Sequence, residues 1–250
     1  MKTLLLSVLI FLSGTAAACV CGLTSQLTEH YQAAEFVALG KVLKVYPNES
    51  DEEAYRVDIQ IYDKIKGPDI NSLYVRGRSD GRIGSSCALF TPEGEEYLFF
   101  AQEDRLGRMA FGACSGTVQL NTVKNRTPYF LDILDILKQE GTNYSNHPYV
   151  VNWTTMRLTL EEFKGQAMQE KFALYAITFH KDLKVKKVRV IHGFGGQVDS
   201  RIVEGFYGSE WKNQYATDKL RVPKGTQKLV GIYYYEAEGT FPSFLSMFSL

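Results

Sequence analysis

From Phe36 onward the apolar positions recur with the period of strands. "AYRVDIQIYDKIKG" sets Val57, Ile59 and Ile61 against Arg56, Asp58 and Gln60, the period-two pattern of a half-buried strand. "FVALGKVLKVY" before it predicts a strand with a glycine interruption, and the charged "PNESDEE" between them predicts a solvated turn. "NSLYVRG", "EEYLFFAQ" and "GRMAFGACSGTVQL" predict the remaining strands, with "RSDGRIGSSC" a glycine-rich loop. Short strands separated by glycine turns imply a small closed barrel. The period then lengthens: Phe130, Ile133, Leu134 and Leu137 fall at helical spacing. Thr127 can cap this helix, Pro128 suits its first turn and Gly141 can end it. It is expected to pack on the barrel.

The polar "NYSNHPYVVNW" reads as a linker. Beyond it, "KFALYAITFHKDLKVKKVRVIHG" predicts two strands around a polar turn at Lys181–Asp182. Asp199 can cap a helix with Ile202, Val203 and Phe206 on one face, and "TQKLVGIYYYE" returns as a strand. The predicted fold is therefore β plus α+β: an OB-like five-stranded β-barrel with a flanking helix, then a small ββαβ domain. The expected organisation is a signal peptide at 1–18, a barrel domain at 19–142, a linker at 143–168 and an α+β domain at 169–240. The second domain is expected to fold alone.

Lys2, the apolar "LLLSVLIFL" and the small residues Ala16, Ala17 and Ala18 have the form of a secretory signal, cut after Ala18 to leave Cys19 first. No later apolar run is long enough for a membrane helix. The expected location is secreted or periplasmic. A lipoprotein anchored through Cys19 ranks below that, because Ala16 stands where a lipoprotein box usually has Leu and a thioether would leave another cysteine unpaired. Charge separates the two halves: residues 19–144 carry 13 basic and 18 acidic side chains, residues 145–250 carry 14 and 10. Neither half has the basic stripe that nucleic acid requires.

The cysteines Cys19, Cys21, Cys87 and Cys114 all lie in the first half. An even number in an exported chain implies disulfides. Cys19 and Cys21 are poorly placed to pair with each other, which leaves two pairings open. A zinc site lacks a second close cysteine pair and a histidine at ligand spacing. His30, His147, His180 and His192 are scattered and read as surface or packed residues. "GFGGQV", Gly193 to Val198, lacks the last glycine of a dinucleotide fingerprint and reads as a flexible turn. Glu93, Glu95 and Glu96 read as a solvated turn. No nucleophile elbow, zinc-protease helix or phosphate loop occurs, so no cofactor and no enzyme activity is expected. Asn-x-Ser/Thr sequons fall at Asn48, Asn125, Asn143 and Asn152.

"CVC", "FVALGKV", "IYDKIKG", "SSCALF", "GEEYLFFA" and "GACSGT" together resemble the tissue-inhibitor-of-metalloproteinases (TIMP) family, and more broadly the netrin-type (NTR) modules that share its barrel. The resemblance covers Cys19 to Leu137. It implies bonds Cys19–Cys87 and Cys21–Cys114. It also implies an inhibitory role, in which the free amine and carbonyl of Cys19 chelate the catalytic zinc of a target protease while Val20 enters the specificity pocket. The only metal involved belongs to that target. An α-amine with a pKa of about 8 is partly neutral and can donate to zinc. The chain departs from the family in lacking prolines after Gly22 and the six-cysteine C-terminal half. Netrin-type modules also occur in proteins that inhibit nothing, where the same cysteines only staple the N-terminus to the barrel.

"ALYAITFHKDLKVKKVRVIHGFGGQVDSRIVEGFYGSEW", ending at Trp211, is similar to the C-terminal domain of the TonB family. This resemblance covers Lys171 to Glu236 and implies an envelope protein that pairs a sheet edge with partner peptides. The usual membrane anchor and proline-rich spacer are missing. The expected function is thus an exported, disulfide-bonded, non-enzymatic binding protein with a protein partner, a metalloproteinase or an envelope protein. The alternative is a metalloproteinase inhibitor acting through Cys19.

Overall fold

A computed structural model describes residues 21, 27–49, 53–82, 87–121, 129–142, 144, 149–213 and 222–247. The first half contains α1 (Leu27–Ala33), β1 (Phe36–Val45), β2 (Ala54–Lys66), β3 (Ser72–Arg76), β4 (Glu96–Glu103), β5 (Met109–Phe111), β6 (Val118–Gln119) and α2 (Tyr129–Glu140). The strand order β1-β2-β3-β5-β4 closes through a β1–β4 pairing, giving a five-stranded OB-like barrel with β6 added beside β4. The β3–β5 contact is parallel and the other ladders are antiparallel. Tyr55, Val57 and Ile59 point into the barrel and Arg56 and Gln60 out of it, as the alternation predicts. Gly40 lets β1 bend between its two neighbours. A Cβ there would stand 2.5 Å from the Gln60 carbonyl oxygen and 3.3 Å from the Phe99 ring, and the β1–β2 register shifts beside it.

The second half contains β7 (Tyr149–Val151), α3 (Trp153–Glu161), β8 (Phe172–Phe179), β9 (Val185–His192), α4 (Gly196–Tyr207), β10 (Trp211–Asn213), β11 (Gln227–Tyr235) and β12 (Phe244–Ser246). Its antiparallel sheet runs β12-β11-β8-β9 and β7 pairs with β10. The predicted ββαβ unit is thus β8, β9, α4 and β11. Its sheet reaches past residue 240, since β12 supplies the strand beside β11.

Among the described residues the apolar side chains gather in three clusters. One lies inside the barrel around Phe36, Tyr55, Leu73, Phe99 and Phe111. One lies under α3 and α4 around Met156, Tyr175, Ile202, Phe206 and Ile232. The third joins the halves: Val37, Leu98 and Phe100 of the barrel meet Tyr31 of α1, Leu134 and Leu137 of α2, and Phe172, Leu174, Leu229 and Tyr233 of the second sheet. Strands β1, β4, β8 and β11 are therefore buried on both faces. That is why "YLFFA" and "FALYAITF" read as unbroken apolar runs and not as alternations.

Three expectations change. The stretch 143–168 carries β7 and α3, and Tyr149, Met156, Leu160 and Phe163 enter the second core, so it is part of that unit and not a linker. The second domain is not packed as an independent body, since one face of its sheet is covered by the first half. Asp199 does not cap α4. It sits inside the first turn, and its carboxylate accepts from the backbone N–H of Phe194 (3.0 Å) and Gly195 (2.7 Å) and from the Tyr175 hydroxyl (2.7 Å). The glycine turn before α4 is pinned by these bonds. Helix α2 ends where expected, with the Gly141 N–H on the Leu137 carbonyl at 3.2 Å, while Thr127 and Pro128 lie outside the described residues.

Candidate functional site

Cys21 is bonded to Cys114, with Cα atoms 5.2 Å apart and 93 residues between them. Cys87 is also disulfide-bonded. Cys19, its expected partner, and Val20 lie outside the described residues. A bridge closing a loop this long stabilises the fold by about 4–5 kcal/mol in the chain-entropy account. It fixes the chain at Cys21 to the turn that follows β5.

That turn is held by its own residues. The Thr117 hydroxyl accepts from the Phe100 N–H (2.9 Å) and donates to the Phe100 carbonyl (3.2 Å), so one side chain stands in for a neighbouring strand. The Ser115 hydroxyl donates to the Gly112 carbonyl at 2.9 Å. Gly116, at φ +88°, presses on His30 of α1, and a Cβ there would lie 2.4 Å from the imidazole Cγ. Burial holds the His30 pKa below its ordinary value, with Glu29 and the Ser115 backbone pulling it up.

Helix α1 carries the anchored end into the second sheet. Lys66 of β2 donates to the carbonyls of Tyr31 (3.0 Å) and Ala34, satisfying the C-terminal carbonyls of α1. Gln32, buried, donates from Nε2 to the Leu229 carbonyl (3.3 Å) and accepts at Oε1 from the Leu229 N–H (3.1 Å). Its amide takes the strand-like place beside β11 that β12, paired only with Tyr233–Tyr235, does not reach. Next to it, Lys228 and Glu29 face each other at 3.6 Å with side chains 10% and 12% exposed, and burial lowers the Lys228 pKa.

The other residues singled out by sequence do not converge on this region. Asn48 is engaged at both ends of its amide. It donates to the carbonyls of Ala54 (3.1 Å) and Gly77 (3.0 Å) and accepts from the Ser79 N–H (2.9 Å). Asn152 caps α3 through the Thr154 N–H at 3.1 Å. Asn125, Asn143 and His147 lie outside the described residues. His192 packs on the Phe172 ring, centroids 4.8 Å apart, and His180 is exposed. Glu93 accepts from the Val45 N–H (2.8 Å) and Glu95 from the Gln119 amide (2.9 Å), so this acidic turn is tied to the barrel and not merely solvated.

A second feature had no sequence signal. A groove of about 850 Å³ opens between α3 and the chain joining β11 to β12. Trp153, Arg157 and Leu160 form the helix side, with Lys164 just beyond α3. Tyr235, Glu236, Glu238, Phe241 and Phe244 form the other. The rings of Tyr235 and Phe244 stack at 4.9 Å, and Arg157 pairs with Glu161 at 2.8 Å. Lys171 pairs with Glu236. Its aromatic residues are scattered over more than eighty positions, so no local period could have revealed it.

Among the described residues no helix is long and apolar enough to cross a membrane, and the bonded cysteines are compatible with an extracellular or periplasmic location. No protein-family model matches the chain, and no curated protein matches it.

Proposed function

We propose that this chain is an exported, non-enzymatic binding protein of the cell envelope or extracellular space, with its recognition surface at the start of the barrel. The observation that carries the reading is the anchoring of Cys21. The disulfide to Cys114 fixes it covalently, and α1, only six residues on, is locked between barrel and second sheet. A chain end held this way loses little further entropy when it meets a partner. The test is capture from native envelope or medium on the mature protein beginning at Cys19, compared with the Cys21→Ala, Cys114→Ala double variant. Partners retained equally by both would overturn the placement of the surface.

The inhibitor reading is favoured by one specific feature: the Cys21–Cys114 bond is the pairing that the resemblance to the metalloproteinase inhibitors implies. In this reading Cys19 chelates a zinc ion belonging to the protease and Val20 fills its pocket. One alanine added before Cys19 displaces the amine and leaves both disulfides in place. Zinc-protease inhibition by the mature protein, abolished by that addition, is the expected outcome. Equal inhibition by both forms, or a mature mass carrying a diacylglycerol on Cys19, refutes it.

A further inference from the structure

We propose that the groove between α3 and the β11–β12 connection binds a neutral oligosaccharide. Its volume, about 850 Å³, falls in the range of small-ligand sites. Phe241 is 74% exposed and Trp153 is 37% exposed at its two sides. Large rings left in water around a concavity mark a surface that something apolar covers. The groove is nonetheless not an apolar slot. Three carboxylates, Glu161, Glu236 and Glu238, share it with two cations, Arg157 and Lys164.

This mixture selects the ligand. A net-charged ligand meets attraction and repulsion in the same groove. A hydroxyl both donates and accepts, so a polyol satisfies the carboxylates and the cations with one kind of group and needs no charge. A pyranose adds C–H faces that lie flat on aromatic rings. The ion pairs Arg157–Glu161 and Lys171–Glu236 set two of the carboxylates beside cations at the groove, where a hydroxyl can bridge both. The groove shares no residue with the Cys19–Cys21 segment. Its failure and the failure of the reading above are therefore separable.

The experiment is a titration of the full mature chain with cellotriose, laminaritriose, maltotriose and chitotriose, followed by tryptophan fluorescence and supported by a neutral-glycan array. Trp153 lines the groove, whereas Trp211 lies against Phe179 and Phe206, so a saturable change reports the site. Phe241→Ala is expected to weaken binding about tenfold, the scale of losing one ring contact, with an unchanged melting profile because the ring is exposed. Glu238→Gln should weaken it less, and Leu106→Ala, 68% exposed on the barrel, not at all. No saturable response on solution or array overturns the proposal. So does a response confined to acidic sugars, one unaltered by Phe241→Ala, or one to an extended-peptide pool in place of sugars. The last would reassign the groove to the outer edge of β12.

Discussion

The barrel and the second sheet are both antiparallel for the most part, yet they meet the edge problem in opposite ways. The barrel returns β4 to β1 and leaves no open side among its five strands. The second sheet stays open, with β9 at one end and a three-residue β12 at the other, and it borrows the barrel's outer wall to cover one face. A closed unit can be cut free with its core intact, whereas an open one takes its neighbour's side chains as part of its own interior.

The sharpest way to break this comparison is to separate the halves. Residues 149–250 alone, which keep β7 and Tyr149, should expose Phe172, Leu174, Leu229 and Tyr233. At roughly 1.5–3 kcal/mol per side chain the loss is about 6–12 kcal/mol, the scale of a whole domain's stability, about 5–15 kcal/mol. Calorimetry should find no cooperative transition in that fragment. A clean two-state melt would mean the sheet does not need the barrel.

Next in size is the covalent tie. Cys21→Ala with Cys114→Ala should lower stability by about 2–5 kcal/mol, read by denaturant unfolding under oxidising conditions. A smaller loss is expected for Gln32→Ala. It leaves the Leu229 N–H and carbonyl unpaired in a buried place, at a cost of about 1–3 kcal/mol. Gln32→Glu should not restore it, since a carboxylate can accept from the N–H but cannot donate to the carbonyl.

The smallest effect is the acid response of His30. Its folded pKa is lowered by burial, so the unfolded chain binds the proton more readily. Stability is then present above the ordinary value of 6.5 and declines as pH falls below it toward the lowered folded value. The His30→Gln variant should show a flatter stability profile across that window. An unchanged slope would place the acid response elsewhere.

What could be read from the sequence follows the same division. The alternation of Val57, Ile59 and Ile61 and the glycine turns pointed to a barrel, because a half-buried strand writes its geometry into every second residue. The unbroken runs around Phe99 and Tyr175 pointed to strands, but not to what covers their second face, which is a matter of long-range packing. Helix α1 escaped notice because seven residues with Thr28 and Gln32 at fully buried places carry no clean apolar stripe. Residues 149–161 read as linker for a related reason: Trp153, Met156 and Leu160 do fall on one helical face, but the stripe spans only about two turns and follows the polar "NYSNHP". Of the candidate site, the cysteines were legible by count and compartment. The Gly116–His30 contact and the groove around Trp153 and Phe241 were not, since each joins segments that are far apart in the chain.

The Gln32 amide has a consequence for exchange with solvent. The N–H of Leu229 points toward α1, past the end of β12, where an edge amide would ordinarily trade its proton with water freely. Here its acceptor is a side chain from the other half of the molecule. That hydrogen is open to replacement by deuterium when the Gln32 amide lets go of it, and lifting of α1 from the sheet is one motion that does so. The deuteration rate of this single backbone position therefore sets an upper limit on how often the two halves part, and the amide serves as a built-in reporter on the interface.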